Sequence, residues 1–320
     1  MANSSSVQTQ GMNQTLDKGL DSQSQLWEGE LYLIDILTLI IAGTGVSANG
    51  IVIYLFLRFK KLRKPIIIGI GMLALSDMTS LSTQLLRRLQ NYGVHSTTLW
   101  DCIETILLTA YFTSVCHVIL LSLQQYLYIG FPLQSTVWFT IKRMSLISLS
   151  AWLLSFSMAF IYMSVLLFFK EQIPKTHRDI YLRIITLLST LVPVLCLGIL
   201  FFLKRRALKH SLTDRRSTAM KKMSRLVGFV VTVYLVTTTP MNIRDIMDYS
   251  FGFRPTTRWR TAFNHTCFML LLCNYTINPF LYFILTPKFR EFCCRRRRKP
   301  VPSSSGTREE NLTTDCQTPL

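Results

Sequence analysis

Apolar residues along this chain come in long runs rather than in alternation. Seven stretches stand out: Leu31–Phe59, Ile66–Leu86, Leu99–Phe131, Met144–Phe169, Ile180–Leu203, Leu226–Tyr249 and Ala262–Leu285. Each is long enough to carry a helix of roughly 20 residues across about 30 Å of hydrocarbon. Periodicity inside them is weak, which fits helices that are apolar nearly all round. Short links of turn residues and charges separate them, such as Lys60–Pro65 and Lys170–Lys175. Buried helices of a soluble protein average only about 11–12 residues. The pattern predicts an all-α membrane protein, a seven-transmembrane helix bundle over residues 31–285. The polar segment 1–30 shows no apolar run of signal-peptide type, so the first span is expected to act as its own insertion signal.

Composition closes other routes. Apolar residues make up 49% of the 320, and charged residues only 16%. Mean hydropathy is +0.32. Too much apolar surface would be left wet for the chain to be disordered. Eight Cys spread over this length do not make a disulfide-stapled miniprotein.

The net charge of +18 suggests nucleic acid until it is sorted by position. With the N-terminus outside, 24 of the 35 Lys and Arg fall on the inner segments and only 11 outside. Five of the acids are inner and eleven are outer, with Asp77 left in mid-span. The inner side is strongly positive and the outer side neutral, the sorting expected of a multi-pass protein with an extracellular N-terminus. The charge is topological, so no nucleic-acid partner is expected. Asn3-Ser4-Ser5 and Asn13-Gln14-Thr15 are then glycosylation sequons on the outer side.

Polar residues within hydrocarbon are costly and by default functional. Span one carries Ser47-Ala48-Asn49-Gly50, and span two carries Leu73-Ala74-Leu75-Ser76-Asp77. Span four has Ala151-Trp152, span five Pro193, and span six Pro240. Span seven has Asn274, then Asn278-Pro279 and Tyr282. A lone carboxylate at Asp77 needs partners, and Asn49 and the two span-seven asparagines are expected to supply them. The three prolines break backbone bonds and give helices alternative packings.

This ordered set, one element per span, resembles the rhodopsin-like (class A) G-protein-coupled receptors over about residues 31–295. The resemblance implies a plasma-membrane receptor that carries an extracellular signal, or basal activity, to heterotrimeric G proteins. It further implies a sodium ion enclosed by Asp77, Ser114, Asn274 and Asn278, a set of hard oxygen ligands. No other cofactor is expected. The switch and coupling positions carried over are Gln124, Gln125, Tyr126, Met220, Thr238, Pro240, Pro279 and Tyr282. Several depart from the family pattern. The Asp-Arg-Tyr that usually ends span three reads Gln124-Gln125-Tyr126, and the acidic partner in span six reads Met220. The span-six Cys-Trp-x-Pro reads Thr237-Thr238-Thr239-Pro240, and a Tyr low in span five is Phe201. These losses point to shifted or constitutive signalling. The loop 170–179 holds no Cys, so the usual disulfide from the top of span three has no partner there. Cys102 is left either as a free thiol or bridged to Cys267. The short Cys-free loop and the missing Trp are similar to features of the Mas-related receptors.

Amine receptors place an Asp at the position that reads Leu107 here, so an amine ligand is not expected. Asp101, Glu104, Asp245 and Asp248, with Arg244, gather near the outer mouth. They offer either a field for a cationic peptide or ordinary solvation and pairing with Arg87, Arg88 or Arg183. Past span seven, Pro287 opens a short amphipathic helix within 286–299, with Phe289 and Phe292 on one face. Cys293 and Cys294, beside a basic run, are palmitoylation candidates. Residues 300–320 read as a disordered cytoplasmic tail.

No Gly-rich phosphate loop, His/Cys metal cluster or nucleophile–base set is present in the sequence, so no enzymatic chemistry is expected. Two rival functions remain open. A transporter would show internal repeats, and none is visible. A non-signalling seven-helix scaffold or dimerisation partner is kept alive by Gln125, Met220 and Thr238.

Overall fold

The computed structural model describes residues 32–59, 64–88, 96–167, 169, 172–210, 217–251 and 258–285. All regular structure among them is helical. The helices are α1 (Tyr32–Arg58), α2 (Pro65–Arg88), α3 (Thr97–Gly130), α4 (Pro132–Trp138), α5 (Ile141–Leu167), α6 (Lys175–His210), α7 (Ser217–Phe251) and α8 (Arg258–Leu285). The seven long helices fall on the seven apolar stretches. Six of them, all but α7, are long and apolar enough among the described residues to cross a membrane. The apolar run of α7 lies between Arg225 and Arg244 and contains Thr237-Thr238-Thr239-Pro240 and Asn242.

Local chemistry explains most boundaries. Pro65 opens α2, where its missing N–H is not needed. Ser96 caps α3, its Oγ accepting from the Leu99 N–H. Phe131 ends α3 because the residue before a proline is pushed out of the α region. Pro132 then starts α4, about two turns that the apolar pattern did not announce. Several hydroxyls inside the spans are absorbed by their own helices. Thr38, Thr79, Thr109, Ser122 and Thr237 each donate to the carbonyl four residues back, so they sit in apolar helices without an unmet donor.

Helix α3 is the central element and packs against α2, α5, α6 and α7. A buried cluster of Leu73, Val118, Leu121, Leu197, Val231 and Tyr282 fills the inner half. A second cluster around Ala42, Leu81, Leu272 and Tyr275 joins α1, α2 and α8. Close approach there depends on Gly45, where a Cβ would meet Leu81 Cδ1 and Thr276 Oγ1 at 2.5 Å each. Helix α5 buries a single stripe, Met144, Ser148, Ser155, Ala159 and Met163. Its other face exposes Leu149, Leu153, Phe156 and Phe160. So continuous an apolar face suits lipid and not water.

Candidate functional site

By the charge sorting, the outer end of the bundle is where α2 finishes and α3 begins. A cavity of about 450 Å³ opens there between α2, α3, α5, α6, α7 and α8. Four charged residues line it among the described ones: Arg87, Glu104, Arg244 and Asp245. They are paired. Arg87 Nε lies 2.8 Å from Glu104 Oε1, with both side chains partly exposed. Arg244 and Asp245, neighbours on α7, form the second pair. Each carboxylate therefore has its own guanidinium, and the mouth is close to electrically neutral. Arg88 is engaged elsewhere, 2.6 Å from Asp35 of α1 and 5.0 Å from the Phe268 ring centroid.

Below the mouth the lining changes character. Leu107 is buried in the wall, and with Leu108, Phe112, Met163 and Leu271 it makes an apolar body. Gln84, Tyr111, Asn242 and Tyr275 supply neutral polar groups. Tyr111 donates its hydroxyl to Asn242 Oδ1 at 3.2 Å. Tyr111 stands seven residues beyond Glu104 on α3, about 10 Å deeper at 1.5 Å per residue.

One turn deeper again is the buried carboxylate. Asp77 on α2 has no exposed surface. Ser114 of α3 donates to its Oδ1 at 2.8 Å, and Asn278 Nδ2 of α8 donates to its Oδ2 at 2.8 Å. Asn274 is buried on the same helix. Asn49 does not join them, contrary to expectation. Its Nδ2 donates to the Gly45 and Tyr275 carbonyls, both at 3.0 Å. Pro279 has no N–H, so the Tyr275 carbonyl four residues earlier loses its helical partner. Asn49 fills that place and ties α1 to the kink of α8. Two buried acceptors, Asn49 Oδ1 and Asn278 Oδ1, receive no hydrogen bond.

The inner face is built around the end of α3. Gln124 and Gln125 are buried, and Tyr126 packs edge-on to Phe131 with centroids 6.2 Å apart. Tyr126, Phe131, Leu203 and Arg206 line a groove of about 550 Å³ between α3, α4 and α6. On α7, Thr238 is buried and its hydroxyl has no hydrogen bond. Tyr282 is buried against the inner cluster. Pro240 interrupts α7 and Pro279 interrupts α8.

A match to the family model of the 7 transmembrane receptor (rhodopsin family) covers residues 48–282. The chain belongs to the rhodopsin family of seven-transmembrane receptors. It is a multi-pass membrane receptor that signals through G proteins, and not an enzyme. It is similar to somatostatin receptor type 2 of Mus musculus, 23% identical over 272 residues that cover 79% of this chain and 73% of that protein. It is likewise similar to somatostatin receptor type 2 of Sus scrofa, 24% identical over 267 residues, 77% and 72% of the two chains.

Within this receptor the sequence-predicted residues divide as follows. Glu104, Leu107, Arg244 and Asp245 meet in the outer cavity. Asp101 does not: it is half-buried at the second turn of α3, one turn before Glu104, and absent from the wall. Asp248 and Met220 lie on α7, but their side chains are outside the described residues, as are Asn3, Asn13, Cys293, Cys294 and the segment 286–299. Cys102 is exposed and Cys267 buried, and both are free thiols. Of the two readings of the acids, the structure has pairing at Glu104 and Asp245, with Arg87 and Arg244 beside them. Sequence reasoning missed Gln84, Tyr111, Asn242 and Tyr275. The spacing of Glu104, Leu107, Leu108 and Tyr111 along one helix face carried a usable signal for Tyr111.

Proposed function

We propose that the receptor sits in the plasma membrane with its N-terminus outside and takes a peptide ligand into the outer cavity. The somatostatin receptors it is similar to support a peptide as the ligand class. One observation carries the reading: the cavity floor and the switch share a residue. Tyr275 lines the floor, while its carbonyl is the one released by Pro279 and held by Asn49. A ligand pressing on Tyr275 acts directly on the kink of α8, one turn from Asn278 and Asp77. Ligand binding thereby biases two packings of α8 against α1 and α2.

The residues around Asp77 fit a sodium ion. A carboxylate whose hydrogen bonds come only from neutral donors keeps its negative charge uncompensated. Asn278 Oδ1, on the amide that donates to Asp77, is an acceptor without a donor. Asp77, Ser114, Asn274 and Asn278 would hold the ion, which supplies the missing positive charge. Ser114 and Asn278 meanwhile orient the carboxylate between α2, α3 and α8.

At the inner face, Gln125 and Met220 replace an Arg–carboxylate brace, and a partly buried charge-assisted pair is typically worth about 1.5–3 kcal/mol. Its absence supports weak basal signalling. The test is G-protein activation in cells at matched surface expression. Gln125→Arg is expected to raise maximal coupling above the parent, and the parent above an empty vector. Equality of all three would leave the non-signalling scaffold as the better reading.

A further inference from the structure

We infer that the cavity selects its ligand by charge position: below the mouth it admits only uncharged, apolar-bodied groups, and the ligand's charges stay at the rim. The inference rests on the proposed function, since it concerns the same cavity. The rim holds one Arg–carboxylate pair on α2 and α3 and another on α7. Each pair offers a cation and an anion to an incoming dipolar segment, and neither sign is in excess. Along α3 the wall from Leu107, about one turn below Glu104, to Tyr111, about 10 Å below it, carries no charged side chain among the described residues: Leu107 and its apolar neighbours stand there with Gln84, Tyr111, Asn242 and Tyr275. An ammonium or carboxylate driven to that depth meets no charged side chain in the wall: Asp245 a turn above Asn242 is already paired with Arg244, and Asp77 is sealed below, hydrogen-bonded to Ser114 and Asn278. It loses its water, a loss that neutral hydrogen bonds do not repay. A phenol, indole, amide or capped terminus finds apolar walls and the Tyr111–Asn242 pair. The ligand class is therefore a peptide that inserts an uncharged aromatic or aliphatic group, or a blocked terminus, and leaves its charges between the two arginine–carboxylate pairs. A purely cationic peptide end is not what the floor accepts.

The experiment uses thiol reagents of one size and three charges on the full-length purified receptor. The reagents are methanethiosulfonates carrying a hydroxyethyl, an aminoethyl or a sulfonatoethyl group. In each reaction the cysteine thiolate forms a disulfide with the transferred group and expels methanesulfinate. Cysteine is placed at the rim by Leu166→Cys and below it by Leu107→Cys and, separately, Asn242→Cys. Rates are corrected for the native thiols with the parent receptor and for intrinsic reactivity with a small thiol. Two deep positions are used so that a poorly folded variant, recognised by its elution as aggregate, does not decide the result. At the rim the three rates are expected to agree within about threefold. At both deep positions the neutral reagent is expected to react at least about tenfold faster than either charged one, because only the charged groups lose compensating water. Charged reagents reacting as fast as the neutral one at the deep positions, or the cationic one reacting fastest, would overturn the inference while leaving the cavity as a ligand site. Failure of every reagent at all three positions would overturn the cavity itself, and the proposed function with it.

Discussion

Glu104 and Asp77 are carboxylates on adjacent helices of one bundle, and the receptor treats them oppositely. Glu104 has the Arg87 guanidinium at 2.8 Å and remains partly open to solvent. Asp77 has no exposed surface and takes its two hydrogen bonds from a hydroxyl and an amide, neither of them charged. At the rim, water screens the pair, so its formation and loss change little. In the core nothing screens the carboxylate, and its neutral partners hold it without cancelling it. The rim is suited to sorting ligands by charge. On the proposed reading, the core stores an unbalanced charge that a bound cation would settle.

The sharpest way to break this contrast is to remove both carboxylates in turn. Asp77→Leu strands the Ser114 hydroxyl and the Asn278 amide where no water replaces the acceptor. At about 1–3 kcal/mol for each stranded donor, the expected loss is about 2–6 kcal/mol in thermal unfolding of purified receptor. Glu104→Leu is expected to cost at most about 1 kcal/mol, and less at high salt. Equal losses would mean that the rim pair is as structural as the core.

Next in size is the coupling between the core and the α8 kink. Asn49→Ala leaves the Tyr275 carbonyl without a donor and is expected to cost about 1–3 kcal/mol. In a Pro279→Ala background the restored N–H supplies that carbonyl, so the same Asn49→Ala change is expected to cost markedly less. A double-mutant cycle with no interaction energy would show that the two residues act independently.

The smallest effect separates charge from hydrogen bonding at Asp77. Sodium at about ten times its dissociation constant should add about 1.4 kcal/mol of stability by mass action, relative to choline at the same ionic strength. Asp77→Asn keeps the shape of the side chain and is expected to abolish the difference. A sodium effect surviving in that variant would locate the ion elsewhere.

Much of the architecture was legible in the order of residues. Apolar runs of this length have one stable form in hydrocarbon, where every backbone group must be satisfied within its own helix. The seven long helices consequently lie on the seven runs, with ends fixed by Ser96, Pro65 and Pro132. Asp77, Pro240, Pro279 and Tyr282 stood out because such residues are unusual inside an apolar span. The same one-dimensional signal said nothing of α4, whose seven residues follow from a proline at its first turn and carry no long apolar run.

What the sequence by itself determined is the set of helices and the sorting of Lys and Arg between alternate loops; the neutral outer face, the basic inner face and the brace missing at Gln125 and Met220 are what that order of residues leads one to expect. These depend on residue type, run length and charge count, all of which are local. The spacing rule also shows that Pro279 must orphan the Tyr275 carbonyl. Only the tertiary structure decided which donor answers it. Asn49 had Asp77 and that carbonyl both within its sequence-level reach, and the docking of α1 through Gly45 gave it the carbonyl. In the same way Glu104 had several arginines to choose from, and the approach of α2 to α3 gave it Arg87 while α1 gave Arg88 to Asp35. Helical periodicity fixes the face on which a side chain stands. The partner on that face depends on the rotation and depth of the neighbouring helix, which close packing of the whole bundle sets.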